Sequence, residues 1–317
     1  MQSIRNYRER IDFGFKSGLG LLAVVAVALL LWPTHLAADP PRKLSIVSSI
    51  LPLYCFAANI AGEAARVENL IPPGVSPHDY DFAPSDLRKL QQADLIVLNG
   101  LELEHWLPKT IRLGITNTQN KIVEAAAGLS GELISDPGDR KRNQGGQFRT
   151  NPHIWLDPHL ALHMVTNILH AMQRADPVHA DLFTRNASTF AFRLQKLDLD
   201  LLVGLGAYTN AAIVSHHEAF PYFARRYGLE IIGVIETTPE IEPSPRHLHE
   251  LADLVRKRNA KVLFTEAQSP SRLARQFAAD LNLSLAPLDT LETGALTLTA
   301  YEDRMRTNLE VLRRALR

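Results

Sequence analysis

The sequence contains one cysteine in 317 residues, and this scarcity limits how the fold can be stabilised. Cys55 has no partner for an internal disulfide, and it follows Leu53 and Tyr54 rather than the small residues of a lipid-attachment motif. We therefore interpret it as a small buried side chain. Without a disulfide, stability must come from an apolar core or a bound metal. Apolar residues make up 46% of the chain and charged residues 21%, as in a globular protein with a sizeable core.

The chain also lacks an apolar run of the roughly twenty residues that a membrane-spanning helix needs. The run GLGLLAVVAVALLLW at 18–32 is shorter, follows four basic residues and precedes the small-residue stretch LAAD at 36–39. Basic, apolar and small-residue segments in this order predict a secretory signal peptide over residues 1–38, cleaved after Ala38 or Ala37. An uncleaved membrane anchor is the alternative.

An excess of charge of either sign is absent as well, since 34 basic residues balance 34 acidic ones. Residues 1–38 carry four basic and two acidic side chains, so the chain after cleavage has 30 basic and 32 acidic residues and a formal net charge of −2. This balance gives no basic footprint for nucleic acid or for an anionic membrane surface.

Short apolar runs alternate with helix-like stretches from Lys43 onwards. Three strands are predicted in the first half, at 43–50, 65–71 and 94–100. Four are predicted in the second half, at 211–216, 230–235, 261–266 and 283–289. Repeated βαβ alternation predicts an α/β fold with two lobes, each holding a mostly parallel sheet flanked by helices.

A long helical pattern from Pro177 to about Gly204 separates these two series and predicts a helix that joins the lobes. The length of the chain also favours two domains. We assign 39–175 to an N-terminal lobe, 176–204 to the linking helix and 205–317 to a C-terminal lobe. Residues 128–151 are polar and rich in glycine and charge, and they predict a surface loop.

Three histidines and one aspartate occur in four separate strand-end or loop contexts: His78 in SPHDYDF, His153 in NPHIWLDP, His217 in SHHEAFPYF and Asp289 in APLDTLETG. Ligands of open α/β sheets bind beyond the carboxyl ends of strands, so two lobes would bring these residues together. Three imidazoles and one carboxylate suit a tetrahedral zinc ion. From the residues alone, a metal site and a set of solvated surface side chains remain equally open.

Other polar residues near these motifs are assigned lesser roles. His216 should point away from its neighbour His217 in an extended strand end, so we leave it outside the site. The helical pair His159 and His163 favours a solvated helix face. Glu266, at another C-terminal strand end, is expected to accept the free N–H of a ligating histidine.

The chain resembles the periplasmic metal-binding proteins of zinc and manganese ABC importers in five ordered segments: IPPGVSPHDYDFAPSDLRKLQQADLIVLNG, NPHIWLDP, HHEAFPYFARRYGLEIIG, IEPSPRHLHELADLV and APLDTL. The resemblance implies a two-lobed, monomeric solute-binding protein with a long linking helix. It implies an ion held between the lobes by His78, His153, His217 and Asp289, and delivery to a membrane permease driven by a cytoplasmic ATPase. The histidine-rich loop of many zinc members is absent, because residues 128–151 contain no histidine.

The transported ion is expected to be zinc. In the family that this chain resembles, manganese proteins tend to carry Glu where His217 stands, which makes a manganese or iron importer component the alternative. A zinc hydrolase is a more distant alternative, suggested by His217-Glu218 as the start of an HExxH motif. Pro221 occupies the position of the second histidine and would disrupt the helix that the motif requires.

Overall fold

The computed structural model describes residues 42–107, 121–135, 150–236, 242–267 and 271–317. The predicted signal peptide lies outside these ranges, as do residues 136–149 of the predicted polar loop. Among the described residues, no helix combines the length and the apolar composition needed to cross a membrane.

The first half of the chain forms a four-stranded parallel sheet in the order β2-β1-β3-β4. Its strands are β1 (Leu44–Ser48), β2 (Ala65–Asn69), β3 (Leu95–Leu98) and β4 (Ile122–Glu124). All four residues of β3 are buried, as its uninterrupted apolar sequence LIVL predicts for a central parallel strand. The three-residue strand β4 was not among the predicted elements.

The second half forms a second parallel sheet, in the order β6-β5-β7-β8. Its strands are β5 (Ala212–His217), β6 (Glu230–Glu236), β7 (Val262–Glu266) and β8 (Ser284–Leu288). Each begins and ends within two residues of its predicted range. Both sheets reverse their order around a central strand, β1 in the first and β5 in the second, which is where ligand sites form in such folds.

Within the described ranges, eight α-helices flank the sheets: α1 (Leu51–Ala61), α2 (Pro84–Gln92), α3 (Pro158–Ala175), α4 (Ala180–Leu205), α5 (Pro221–Tyr227), α6 (Pro245–Arg258), α7 (Arg272–Asp280) and α8 (Ala300–Ala315). Side-chain caps begin α3, α6 and α7. The Asp157 carboxylate, for example, accepts hydrogen bonds from the backbone N–H groups of His159 at 2.9 Å and Leu160 at 3.4 Å. A two-lobed α/β fold with a linking helix is therefore confirmed.

The linking helix α4 is 26 residues long, which corresponds to about 39 Å at 1.5 Å per residue. It begins three residues later than predicted because Pro177–His179 form a 3₁₀ turn in front of it. Near its end, the Asp198 carboxylate binds Arg226 of α5 through two hydrogen bonds of 3.1 and 2.5 Å. Tyr227 donates a third, of 3.0 Å, so α4 is anchored to the C-terminal lobe.

The loop that follows β8 is bonded to Arg304 and Asn308 of α8, and it also makes hydrogen bonds with the N-terminal lobe. Leu51 N–H donates to the Glu292 carbonyl at 3.4 Å, and Gly74 N–H donates to Thr293 Oγ1 at 2.5 Å. Asn59 Nδ2 donates to the Leu298 carbonyl at 2.8 Å. Cys55 is buried beneath this loop, as expected, with Sγ 3.5 Å from the Thr297 carbonyl.

Candidate metal centre

Three of the four predicted ligands come together between the two sheets. His78 lies in the loop after β2, where its backbone N–H donates to Ser76 Oγ at 3.1 Å. His153 precedes the 3₁₀ turn Ile154–Leu156 that leads into α3, and His217 is the last residue of β5. His153 and His217 are buried, and the side chain of His78 is only 16% exposed.

The imidazole nitrogens of these residues converge on one point. His153 Nε2 lies 3.4 Å from His78 Nε2 and 3.3 Å from His217 Nε2. The fourth donor is the carboxylate of Glu292, whose Oε1 is 2.9 Å from His153 Nε2 and 3.3 Å from His78 Nε2. All four donor atoms lie within 4.8 Å of one another.

The structure places Asp289, the predicted carboxylate ligand, outside this group. Asp289 Oδ2 binds Arg304 Nη1 at 2.6 Å, and Oδ1 accepts the Leu291 N–H at 2.8 Å. The chain then turns through Leu291, whose φ of 63° is left-handed, and this turn places Glu292 among the histidines. We therefore correct the fourth position from Asp289 to Glu292.

The sequence offered one signal for Glu292 that we missed. APLDTLETG contains two carboxylates three residues apart, and only the one directly after the strand was considered. A leucine in the left-handed region is uncommon and strained, and such strain clusters at functional sites. The left-handed conformation of Leu291 cannot be predicted from the sequence, because leucine rarely adopts it.

Hydrogen bonds on the far side of two rings fix how they present their nitrogens. His153 Nδ1 lies 3.1 Å from Asn151 Oδ1, and His217 Nδ1 contacts Glu266 Oε1. Both partners accept, so Nδ1 of each ring carries the proton and Nε2 carries a lone pair directed at the centre. Glu266 thus occupies the place expected for it, as the acceptor behind a candidate ligand.

Burial and neighbouring charges have opposite effects on the pKa values of His78 and Glu292. Burial lowers the pKa of His153 to about 4, and the neighbouring rings of His217 and His78 act in the same direction. Burial also lowers the pKa of His78, but the charge and hydrogen bond of Glu292 outweigh it, so that this pKa is raised. Glu292 is buried, which would raise its pKa, yet His78 and His153 hold it well below its usual value.

Three of the separations between donor atoms match those of a tetrahedral zinc ion. With bonds of about 2.0–2.1 Å, neighbouring ligands of such an ion lie about 3.3–3.4 Å apart. Three of the measured separations are 3.3, 3.3 and 3.4 Å, and the fourth is 2.9 Å. Lone pairs on nitrogen and oxygen atoms this close repel one another unless a cation or a proton lies between them. One cation at the centre could bind all four donor atoms at once.

The remaining histidines with a predicted role lie elsewhere. His216 belongs to a separate group with His217 and Glu266, and it takes no part in the four-donor centre. His163 Nε2 binds the Ala127 carbonyl at 2.8 Å. Within the part of the chain that the structure describes, neither His159 nor His163 joins a group of three or more metal-capable side chains.

The fold is that of a metal-type solute-binding protein. It has two parallel α/β lobes joined by a long helix, and the candidate metal centre lies between them. Residues 46–315 match the family described as "Zinc-uptake complex component A periplasmic". The chain belongs to this family.

Two curated relatives illustrate the similarity. Zinc-binding protein AdcA of Streptococcus pyogenes is 30% identical over 289 residues, which cover 86% of this chain and 56% of the relative. The chain thus spans about half the length of the first curated relatives that it matches. The high-affinity zinc uptake system protein ZnuA of Bacillus subtilis is 29% identical over 315 residues, covering 95% of this chain and 98% of the relative.

Among solved structures, the solute-binding protein FpvC of Pseudomonas aeruginosa in complex with Mn²⁺ superimposes with a TM-score of 0.76. It is 29% identical, and the match covers 87% of this chain and 99% of FpvC. The similar fold therefore extends over nearly the whole of both chains.

Proposed function

We propose that this protein binds a zinc ion between its two lobes and delivers it to the membrane permease of an ABC importer. The convergence of three imidazole nitrogens and one carboxylate oxygen, all within 4.8 Å of one another, carries this proposal. The family match and the similarity to zinc-binding protein AdcA and to the zinc uptake protein ZnuA support it. Export by the signal peptide 1–38 would place the protein in the periplasm, with a cytoplasmic ATPase driving the permease.

The ligands in this proposal are His78, His153, His217 and Glu292, with Glu266 orienting His217. We propose that residues 39–175 and 205–317 act as the two lobes that enclose the ion, with 176–204 as the linking helix and the protein as a monomer.

Zinc is favoured over manganese by the donor atoms. Three of the four are imidazole nitrogens, which suit zinc, whereas manganese prefers oxygen. A structure of FpvC is in complex with Mn²⁺, so manganese is the alternative cargo to test directly. Hydrolysis receives no support from the fold around His217, because His217 ends a strand and Pro221 is the first residue of α5.

Competitive titration of the purified protein with zinc and manganese, against a chromophoric chelator, tests the proposal. We expect tight binding of about one zinc per chain and much weaker binding of manganese. His153→Ala should weaken zinc binding strongly, whereas the matched variant His249→Ala should leave it unchanged, since His249 lies exposed on α6 beside Asp253. Tighter binding of manganese than zinc would overturn the choice of ion, and unchanged zinc binding in His153→Ala would overturn the site.

A further inference from the structure

A second group of metal-capable side chains lies beside the candidate centre, on the C-terminal sheet alone. His216 and His217 end β5, and Glu266 ends the adjacent strand β7. One nitrogen of each ring and one oxygen of Glu266 lie within 4.8 Å of one another. His216 Nδ1 is 3.4 Å from Glu266 Oε1, and His217 Nδ1 contacts the same oxygen.

Glu236 lies beside the additional histidine of this group. His216 is buried, and its Nε2 lies 3.2 Å from Glu236 Oε1, although out of line for a hydrogen bond. The Glu236 side chain is 21% exposed, so its carboxylate has room to turn and accept the Nε2 proton. A neutral ring held in this way presents Nδ1 as its free donor, as metal-binding histidines usually do with a carboxylate behind them.

We propose that His216, His217 and Glu266 form a capture site, which holds zinc on the C-terminal lobe before the ion enters the four-donor centre. This inference rests on the proposed function. All three ligands come from two neighbouring strands, so the group stays assembled when the lobes are apart. The four-donor centre, in contrast, requires residues from both halves of the chain.

The exposure of the side chains supports the proposed order, in which the ion binds first at the capture site and then at the four-donor centre. The Glu266 side chain is 20% exposed, whereas those of His153 and Glu292 are 4% and 5% exposed. Glu266 is the most exposed donor of the two groups, ahead of His78 at 16%, so an incoming cation reaches it before the buried donors His153 and Glu292. His217 belongs to both groups, through Nδ1 in the capture site and Nε2 in the centre, and a neutral imidazole has one lone pair for a metal. The proton on Nδ1 therefore moves to Nε2 while the capture site holds the ion, and returns to Nδ1 when Nε2 binds it. The two sites are consequently filled in turn, and the stoichiometry stays at one ion per chain.

The test uses a background without the N-terminal histidines. In His78→Ala/His153→Ala, we expect zinc binding at least about 100-fold weaker than in the wild type, but still saturable near one ion per chain. Adding His216→Ala should weaken this residual binding by a further 10- to 100-fold, approximately, and adding Glu236→Gln by about 10-fold. His249→Ala in the same background is the matched control, since it removes an exposed imidazole from the same lobe.

Zinc affinities come from competition with a chelator, and circular dichroism checks that each variant is folded. Loss of all saturable binding in the double variant would overturn the capture site, as would residual binding that His216→Ala and Glu236→Gln leave unchanged. Failure of the proposed function looks different, because the wild type would then bind no zinc tightly. The single change His153→Ala in the wild type tests that function separately.

Discussion

Replacing Glu292 by glutamine should remove most of the stabilisation that zinc gives to the folded protein. The change keeps the shape of the side chain and removes the one carboxylate of the four-donor centre. Loss of a residue that merely supports a ligand weakens metal binding about 10- to 100-fold, so loss of a direct ligand should cost at least about 100-fold.

This factor translates into a melting experiment. At a free zinc concentration of 100 times the wild-type Kd, zinc stabilises the native state by about 2.7 kcal/mol. If Glu292→Gln raises Kd 100-fold, the same concentration equals the variant's Kd and the gain falls to about 0.4 kcal/mol. For a chain of this size, about 1 kcal/mol shifts Tm by roughly 2–4 °C. We therefore expect zinc to raise Tm by roughly 5–10 °C in the wild type and by less than about 2 °C in the variant.

Asp289→Asn provides the matched control, since it makes the same chemical change three residues earlier. It removes the ion pair with Arg304, whose side chain is 25% exposed, and should lower metal-free stability by about 0.5–1 kcal/mol. The zinc-induced rise in Tm should remain at the wild-type value. Differential scanning calorimetry with and without zinc measures both quantities. A lost zinc effect in Asp289→Asn, together with a retained effect in Glu292→Gln, would refute the corrected fourth ligand.

Three further predictions concern His78, Glu266 and the pair Asp198–Arg226. The pKa of His78 is raised, because the charge and hydrogen bond of Glu292 outweigh the effect of burial, so a proton competes with zinc for this ring at a higher pH than for an ordinary histidine. Zinc affinity should therefore fall as the pH falls through this raised pKa, and zinc binding in that range should release protons; calorimetry in buffers of different ionisation enthalpy measures this release. Glu266→Gln should weaken zinc binding about 10- to 100-fold while the metal-free protein stays folded. Chelator competition measures the affinity and a melting curve measures the stability; a lower Tm with unchanged affinity would show that the role of Glu266 is purely structural. Asp198→Asn removes the negative charge and one of the two oxygens that accept hydrogen bonds from Arg226, and it should lower stability by about 1–3 kcal/mol with no change in zinc affinity. Altered zinc binding would contradict the separation of this pair from the centre.

The fold was largely predictable because its signals are local and strong. β3 is wholly apolar and central, and Leu95–Leu98 lie within the strand predicted at 94–100. The three-residue strand β4 is too short to show a period, and its pairing with β3 depends on residues distant in sequence.

The candidate centre was predictable for its histidines and not for its carboxylate. His78, His153 and His217 each adjoin a recognisable strand end or motif. The choice between Asp289 and Glu292 depends on the left-handed turn at Leu291 and on Arg304, which binds Asp289 from fifteen residues further along. Both features depend on the tertiary structure, so neither composition nor residue spacing predicts them.

The loop after β8 connects the single carboxylate donor of the candidate centre to both halves of the chain. On one side it is attached to α1 and to the turn at Gly74. On the other side Arg304 Nη1 donates to the Thr293 carbonyl at 3.1 Å, and Asn308 Nδ2 donates to the Asp289 carbonyl at 2.7 Å. The position of Glu292 among the three histidines therefore depends on contacts with both halves of the chain.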